Sequence, residues 1–469
     1  MDKKEQVSES ELFKLEQENY EKLAKKYPDQ MVRSSQYDPA TALQYVGITG
    51  VNPSLTGYLR YYPQDFIVEE LKGEGDQTTI DPSTEPFTQE ISEGETIYAD
   101  LVKIGIGTFE AINQLSSQVG ISPQKVGYAG MKDGRALTSQ RVSIRGTTVE
   151  KLNALPKSHF FIKPKQIGKG AISPGQLVGN RFTITVRTEQ DIDEQAFSES
   201  LQKLGKDGFP NFFGTQRFGH RLINPHLGLL LSQGKPEEAI RAFLVGTSPF
   251  DVPIYKSMRV KAKESYGDWQ KMKKTFDILP YKFRHERLLL DALIAGDRPT
   301  QALLAIQDQV RFWFYSYGSF LVNQFLSQAM AGQVTSPDPL PLPQTSDEAD
   351  RLFDYYLERD NTKDYQEHLR PYPFLRRRSR TIPPWITPQI HGHAISNKKI
   401  VVVNFSLPKA VYATTFLMFL FRLHGGNPIP TWVEATDIDA KKEVGAGSVT
   451  ATLEKLEPPT QRRVVEGEI

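Results

Sequence analysis

The sequence predicts an α+β fold in which a mixed, mainly antiparallel sheet is interrupted by a largely helical insertion. Three observations support this prediction. Strand-like and helix-like segments alternate as far as about residue 236, helical patterns dominate residues 237–390, and strand character returns at Ile400–Phe405. With 469 residues, the chain is long enough for about three domain-sized units, or for two with insertions.

These segments suggest five parts in chain order. They are an N-terminal helical extension (1–37), the first part of a discontinuous sheet domain (38–236), an insertion domain (237–390), the closing part of the sheet domain (391–435) and a C-terminal tail (436–469). The tail is polar, so we expect it to be loosely held. The acidic, turn-rich stretch 73–94 is expected to form a loop.

Local patterns justify the strands and helices in order. Leu59–Glu70 and Thr96–Lys103 are expected to be strands, and Thr108 is a good N-cap for the helix that follows. Near the end of the chain, Ile400–Phe405 has strand character and Ala410–His424 has a helical pattern that ends at two glycines.

Two further patterns concern strands. Short strands over residues 126–131 and 136–145 flank Lys132-Asp133-Gly134, and an Asp-Gly pair in that position predicts a β-hairpin. The segment Arg181–Arg187 (RFTITVR) alternates between apolar and polar residues. This alternation predicts a strand with one face in the core and one face in solvent.

Composition excludes several kinds of site. The chain has no cysteine, which excludes disulfides, thiolate zinc sites, iron–sulfur clusters and cysteine nucleophiles. The sequence contains no GxxxxGK[ST] phosphate loop, HExxH pair or GxSxG elbow, so no cofactor or metal is expected. Its longest apolar run, Phe416–Phe421, is far shorter than the roughly 20 residues of a membrane helix. We therefore expect a soluble, cytoplasmic protein that acts as a monomer.

Charge is balanced overall but unevenly distributed. The formal net charge is +1, so attraction of polyanions by the whole molecule is not expected. Between Gly134 and Arg187, however, Glu150 is the only acidic residue among ten basic ones. This stretch could bind phosphates locally, or it could be an ordinary solvated face. The candidate phosphate contacts are Arg135, Arg141, Arg376, Arg377 and Arg378.

Two segments combine glycine, aromatic and hydrogen-bonding residues. They are Val126–Ile144 (VGYAGMKDGRALTSQRVSI) and Asn211–Gly219 (NFFGTQRFG). A flat ring such as that of Phe213 can stack a nucleobase, and neighbouring donors can read its edge. The candidate hydrogen-bonding residues are Gln140, Asn211, Gln216 and Arg217. The alternative is an aromatic core strand bounded by glycines.

Asp133 is the candidate reactive group. Beside Lys132 and Arg135, its carboxylate could stay ionised in a cleft and act as a nucleophile or base. The alternative is an ordinary residue of an Asp-Gly turn. From the residues alone, the interpretation ends at an RNA-binding α+β protein.

At these residues the sequence resembles the TruD family of tRNA pseudouridine synthases. The matching motifs occur in the family's order along most of the chain. They are Gly57-Tyr58-Leu59-Arg60 with Pro63, Asp65-Phe66, Val68 and Glu70; Lys103 with Thr108; Gly127–Asp133 (GYAGMKD) with Ala136, Thr138 and Gln140; Leu177 with Gly179-Asn180 and Phe182; Asn211–Gly219; Tyr317 with Ser319 and Asn323; and Leu407-Pro408 with Tyr412-Ala413-Thr414.

The resemblance implies isomerisation of uridine to pseudouridine, at position thirteen of tRNA in the best-known members. It implies that Asp133 is the essential catalytic carboxylate and Phe213 the active-site phenylalanine, with Lys132 and Asn211 as neighbouring polar residues. We expect Arg60, Gln140, Gln216 and Arg217 to bind substrate as well. The sheet domain would then be catalytic, and the insertion would form the other wall of an RNA-binding cleft.

The chain departs from the family pattern at several positions. The family often has lysine at Arg60 and glutamate at Gln64, and it usually has glutamine at Gly318. Two other functions therefore stay in view. One is a catalytically inactive RNA-binding or RNA-chaperone relative. The other is a hydrolase that pairs Asp133 with Asp65 or Glu70, which would require carboxyl groups roughly 5–10 Å apart.

Overall fold

The structure is a computed structural model that describes residues 9–32, 38–73, 75–83 and 87–458; of residues 9–14 it describes the helix alone. The described chain forms two compact units. The helical unit contains the described residues up to Val51 together with Pro210–Pro384. The sheet unit contains Asn52–Phe209 and the described residues from Trp385 onward. The expected sheet domain ended its first part at residue 236, whereas residues 210–236 group with the helical unit.

The described residues contain fifteen strands. They are β1 (Leu55–Leu59), β2 (Phe66–Gly73), β3 (Asp76–Gln77), β4 (Thr96–Ile104), β5 (Val126–Tyr128), β6 (Leu137–Ile144), β7 (Phe160–Gly168), β8 (Gly179–Thr188), β9 (Phe209–Pro210), β10 (Leu340–Pro341), β11 (Thr381–Ile382), β12 (Trp385–Ile386), β13 (Gln389–Ser396), β14 (Ile400–Pro408) and β15 (Phe421–Gly425).

The same residues contain eighteen α-helices, and none of these is long and apolar enough to cross a membrane. They are α1 (Glu9–Lys26), α2 (Pro39–Tyr45), α3 (Thr108–Val119), α4 (Val149–Asn153), α5 (Glu194–Asp207), α6 (Asn224–Ser232), α7 (Pro236–Val245), α8 (Pro253–Lys263), α9 (Trp269–Phe276), α10 (Arg284–Ile294), α11 (Pro299–Ala302), α12 (Gln307–Met330), α13 (Asp347–Leu352), α14 (Asp354–Arg359), α15 (Tyr365–His368), α16 (Ala413–Leu417), α17 (Ala440–Glu443) and α18 (Thr450–Lys455).

The sheet unit is built on one mixed sheet, as the sequence predicts. Its main path runs β13-β14-β8-β2-β6-β4-β7, with β1, β3, β5 and β15 attached at its sides. Most neighbouring strands are antiparallel, while β2 pairs with β6 and β1 pairs with β15 in parallel. The predicted α+β fold class is therefore confirmed.

Strand β4 shows why both faces of this sheet are buried. Successive side chains of a strand point to opposite faces. Leu101 accordingly packs with helix α3, through Ile112 and Leu115, while the next residue, Val102, lies in a second cluster with Ile67. A strand that is apolar on both sides can form only where something covers each face.

The C-terminal segment supplies the second cover. Leu456 and Val449 are buried in the same cluster as Val102. Lys441 is also buried, and its ammonium contacts Glu69 at 3.0 Å. The expectation of a loosely held tail is therefore wrong for the described residues as far as 458, while residues 459–469 lie outside the description.

The same C-terminal segment covers the face of RFTITVR that was predicted to lie in solvent. Thr183, Thr185 and Arg187 were expected on a solvent face, but all three are buried. The guanidinium of Arg187 donates to the backbone carbonyls of Glu434 and Thr436, at 2.8 and 2.9 Å. The guanidinium of Arg187 is thus matched to polar groups of the covering segment.

The predicted helix over Ala410–His424 is also wrong. Only α16 is helical, and the chain then extends as β15, where Phe421 pairs with Leu55. The apolar run Phe416–Phe421 suits a short buried helix and a buried strand equally well, so periodicity alone could not separate the two.

The helical unit packs around α12. Trp313 and Val310 are fully buried there, together with Phe243 of α7 and Leu227 of α6. Helix α6 lies so close to α12 that a Cβ on Gly228 would sit 2.2 Å from the carbonyl oxygen of Trp313. Glycine at 228 is therefore needed for this crossing.

We predict that Lys441→Met lowers the free energy of unfolding of the sheet unit by about 3 kcal/mol, because it leaves the buried carboxylate of Glu69 without its cation. Urea denaturation followed by circular dichroism measures the change. Lys442→Met is the matched control, since Lys442 is exposed and should change stability by less than about 0.5 kcal/mol. Equal midpoints for the two variants would contradict the prediction.

Candidate active site

Asp133 lies in a wide connection rather than in a tight hairpin. Strand β5 does pair with β6, but Val126 lies opposite Ile144 and Tyr128 opposite Val142, at the far end of β6. Residues 129–136 therefore form an extended loop, which we call the carboxylate loop. The prediction of two strands is confirmed, and that of an Asp-Gly turn joining them directly is wrong.

Buried Lys103 anchors the carboxylate loop from behind. Its ammonium donates hydrogen bonds to the backbone carbonyls of Ile106, Lys132 and Asp133, at 2.8, 3.3 and 2.7 Å. Burial lowers the pKa of Lys103 to about 7, while the nearby charge of Asp133 acts in the opposite direction. An ammonium has three donors, so the charged form of Lys103 can satisfy all three carbonyls at once.

Thr108 and Gln140 complete the anchoring. The hydroxyl of Thr108 accepts a hydrogen bond from the backbone N–H of Lys132 and donates to Oε1 of Gln140, both at 2.8 Å. The amide of Gln140 donates in turn to the carbonyl of Gly130 at 3.0 Å. Two predictions change as a result. Thr108 is the first residue of α3 and not its N-cap, and Gln140 is fully buried, so its side chain holds the loop instead of facing a ligand.

The carboxylate itself stays accessible. The side chain of Asp133 is 44% exposed, and its Oδ2 lies 2.5 Å from Nη2 of Arg60. Arg60 is only 5% exposed, and its guanidinium carbon lies 4.1 Å from the centre of the Phe66 ring. A buried guanidinium therefore directs one face of an exposed carboxylate.

Neighbouring charges are paired within the sheet unit. The ammonium of Lys132, predicted to bind substrate, is buried and lies 2.8 Å from Oε2 of Glu70. Asp65 is buried against the guanidinium of Arg187. Both carboxylates proposed as hydrolytic partners of Asp133 are thus committed to buried ion pairs, which removes the basis for the hydrolase alternative.

The Asn211–Gly219 segment belongs to the helical unit. The side-chain amide of Asn211 donates to the carbonyl of Pro383 at 2.9 Å. Phe213 is half-buried, and its backbone N–H donates to Oδ1 of Asn323 at 2.8 Å. Asn323 returns a hydrogen bond to the carbonyl of Phe213 at 3.0 Å. This fully buried asparagine therefore fixes the position of the Phe213 ring.

Arg217 is positioned by the same helix, α12. Its Nε donates to the hydroxyl of Ser319 at 3.1 Å, and its guanidinium carbon lies 5.6 Å from the centre of the Phe213 ring. Gln216 is exposed. Ser319 and Asn323 of the helix motif thus hold two predicted substrate-binding residues in place.

The candidate phosphate contacts differ in accessibility. Arg141 is buried, with its Nε 2.5 Å from Oδ1 of Asp100, so its assignment to phosphate binding is withdrawn. Arg377 is bound by Asp347 and Asp350 at 2.8 and 2.9 Å. Arg376 and Arg378 are exposed, and Arg135 is half-buried.

The predicted residues fall into two groups. The sheet unit brings together Asp133, Arg60, Lys132 and Gln140, and the helical unit brings together Asn211, Phe213, Gln216 and Arg217. The role of Arg60 as the partner of Asp133 was not foreseen, nor was the anchoring by Lys103. One signal was available for Lys103, because a lysine inside a strand that is otherwise apolar needs a buried partner.

We predict that Lys103 titrates near pH 7, and that it is charged below that pH and neutral above it. Burial disfavours the ammonium, which causes the lowered pKa. The measurement is the NMR shift of its side-chain methylene next to nitrogen, assigned by its loss in Lys103→Met. A midpoint near the ordinary lysine value of about 10.4 would contradict the prediction.

Comparison with known proteins identifies a family for the chain. The model of the family described as tRNA pseudouridine synthase D (TruD) matches residues 48–342. A tRNA pseudouridine synthase D of Syntrophotalea carbinolica is 29% identical over 60% of this chain and 67% of its own. A Pyrobaculum aerophilum protein that bears the name "Probable tRNA pseudouridine synthase D" is 30% identical over 70% of this chain and 75% of its own.

A solved structure agrees with the fold. It is the crystal structure of a Methanosarcina mazei protein that bears the name tRNA pseudouridine synthase D (TruD), with a TM-score of 0.64 and 21% identity. The match covers 80% of this chain and 97% of the other. The chain belongs to the tRNA pseudouridine synthase D (TruD) family of isomerases.

Proposed function

We propose that the protein converts a uridine of tRNA, at position thirteen, to pseudouridine, and that Asp133 is the catalytic carboxylate. One observation carries the assignment of Asp133. Its side chain is an exposed carboxylate, and the loop that carries it is held by hydrogen bonds of Lys103, Thr108 and Gln140. Three buried side chains thus position the loop that presents one accessible carboxylate.

The chemistry suits a carboxylate without a cofactor. The bond between N1 of uracil and C1′ of ribose breaks, the base turns, and C5 bonds to C1′. C5 loses a proton and N1 gains one, so the reaction is balanced without an oxidant or reductant. A fixed anion beside the sugar can add to C1′, add to the base, or take a proton from the sugar.

The ion pair with Arg60 limits which oxygen of the Asp133 carboxylate can contact the substrate. One oxygen of Asp133 is hydrogen-bonded to Arg60, which leaves the other for the substrate. The guanidinium also orients the carboxylate, whichever of the three roles Asp133 performs. In the helical unit, the half-buried ring of Phe213 offers a face for an unstacked base, since extruding a base from structured RNA has a cost that stacking offsets.

Substrate and location belong to the same proposal. The partner is tRNA, and Arg376 and Arg378 remain candidate phosphate contacts because both are exposed. We propose that the enzyme acts as a monomer in the cytoplasm.

We predict that Asp133→Asn abolishes pseudouridine formation, with kcat falling at least about a thousandfold, while the affinity for tRNA changes by less than about threefold. Asparagine keeps the size of the side chain but removes the charge. Unmodified tRNA is incubated with each protein, and pseudouridine is located by carbodiimide adduct mapping.

Two outcomes would contradict the proposal. Unchanged uridine with the wild-type protein, together with tight tRNA binding, would favour the inactive RNA-binding relative. Full activity of Asp133→Asn would assign catalysis to another residue. Asp207→Asn is the matched control in the sheet unit, since its side chain is exposed and pairs with Lys203 of the same helix.

We predict a graded effect at Arg60. Arg60→Met should lower kcat at least about tenfold because it removes the cation that orients Asp133. Arg60→Lys keeps the charge and should lose less. Rates measured with saturating tRNA separate the variants, and equal rates for both would contradict a role for this ion pair.

A further inference from the structure

The helical unit contains a pocket beside α12 that no predicted motif explains as a whole. It is a small pocket that is partly open to solvent. Its walls come from α12, from the segment around Phe213, from the loop that follows β10 and from Arg380. The lining residues are Phe213, Arg217, Phe314, Tyr315, Gly318, Ser319, Leu342, Pro343, Gln344, Thr345 and Arg380.

Charge and aromatic surface coincide in this pocket. The guanidinium carbons of Arg217 and Arg380 lie 5.9 and 5.4 Å from the centre of the Tyr315 ring. Among the described residues that line the pocket, none is acidic. Guanidiniums that lie over a ring form a cationic surface on which a base can stack, and their charges can bind the phosphate attached to that base.

A buried hydrogen-bond acceptor in the lining points to a ligand independently. Gln344 is only 2% exposed, and its Nε2 donates to the hydroxyl of Ser232 at 3.2 Å. Its Oε1 is buried and has no hydrogen-bond partner among the described residues. Buried acceptors in proteins normally have a partner, and leaving one unpaired costs free energy. A ligand with an N–H at its edge would supply that partner, and every nucleobase has one.

Gly318 leaves the space open. A Cβ at this position would lie 3.7 Å from the nearest atoms of Pro343, which is an ordinary contact. A longer side chain at 318 would therefore fit the backbone, but it would extend into the volume that the pocket encloses. Glycine in the middle of a helix is less favourable than alanine, so the opening lowers the stability of the helix.

We propose that this pocket binds one unpaired nucleotide of the RNA substrate, with the base stacked on the cluster of Arg217, Tyr315 and Arg380 and the phosphate bound by the two guanidiniums. The inference rests on the proposed function, because it names an RNA subsite within the helical unit. It adds Tyr315, Arg380 and Gln344 to the RNA-binding residues, and it gives Gly318 a role in admitting the base.

The test measures binding of a labelled, short single-stranded oligouridylate to the full chain by fluorescence anisotropy. Gly318→Gln and Arg380→Ala should each raise Kd about tenfold, as expected for the loss of one stacked base or one phosphate contact. Gly318→Ala should weaken binding less than Gly318→Gln, because it fills less of the pocket. Glutamine and alanine both form helices better than glycine, so the melting temperature of the two Gly318 variants should not fall.

Salt dependence separates the two contributions. Arg380→Ala should reduce the slope of log K against log salt by about 1, whereas Gly318→Gln should leave the slope unchanged. Arg370→Ala is the matched control, since Arg370 lies in the same unit, has a side chain that is 78% exposed and pairs with Glu367. Its Kd should match that of the wild type.

The outcomes distinguish this inference from the proposed function. If wild-type protein forms pseudouridine but Gly318→Gln and Arg380→Ala bind RNA normally, the pocket assignment is overturned and the function stands. If no pseudouridine forms but both variants lose binding as stated, the pocket assignment stands and the function fails. Displacement of the oligonucleotide by an equal concentration of free uridine monophosphate would overturn the assignment to an RNA strand.

Discussion

The buried ammonium of Lys103 is the constraint on which the candidate active site depends. A lysine without a partner inside a sheet would be strongly unfavourable. Here three carbonyls converge on it, and two of them belong to Lys132 and Asp133. Satisfying the ammonium therefore fixes the path of the carboxylate loop. Because these backbone groups turn inward to Lys103, the side chain of Asp133 is left free to face outward.

The same principle governs the second face of the sheet. Lys441 with Glu69, and Arg187 with Asp65, bury four charged groups that balance in pairs. Buried pairs add little net stability, but breaking one is costly. The Lys441–Glu69 pair and the hydrogen bonds from Arg187 to the carbonyls of Glu434 and Thr436 therefore select the register at which the C-terminal segment closes over the sheet. Apolar contacts in this cluster, such as those of Val449 and Leu456, would by themselves tolerate other positions along the face.

Sequence patterns predicted the strands of the sheet better than their surroundings. Thr96–Lys103 was expected as a strand and is one, because its alternation reflects burial against two separate clusters. The polar tail and the outward face of RFTITVR were misjudged for one common reason. In the sequence, a polar residue that pairs with a distant buried group cannot be distinguished from one that faces solvent. Only the fold brings Arg187 to Thr436.

The candidate site shows a related limit. The motifs located Asp133 and Phe213, but they could not tell which polar neighbours face a ligand. Gln140 and Asn323 both belong to motifs, and both are fully buried with their amides bonded to backbone carbonyls. Each holds the backbone of a segment whose functional side chain then needs few contacts of its own.

This division of labour explains why the two signatures are rich in small and polar residues around a single functional group. A side chain that must meet a substrate cannot also be fixed by close packing, so its backbone has to be fixed instead. Hydrogen bonds from buried side chains can fix the backbone, since its N–H and C=O groups require partners in any case. In the carboxylate loop the partners are Lys103, Thr108 and Gln140, and at Phe213 the partner is Asn323. Several motif residues in this chain are therefore anchors, and their burial distinguishes them from the accessible carboxylate of Asp133.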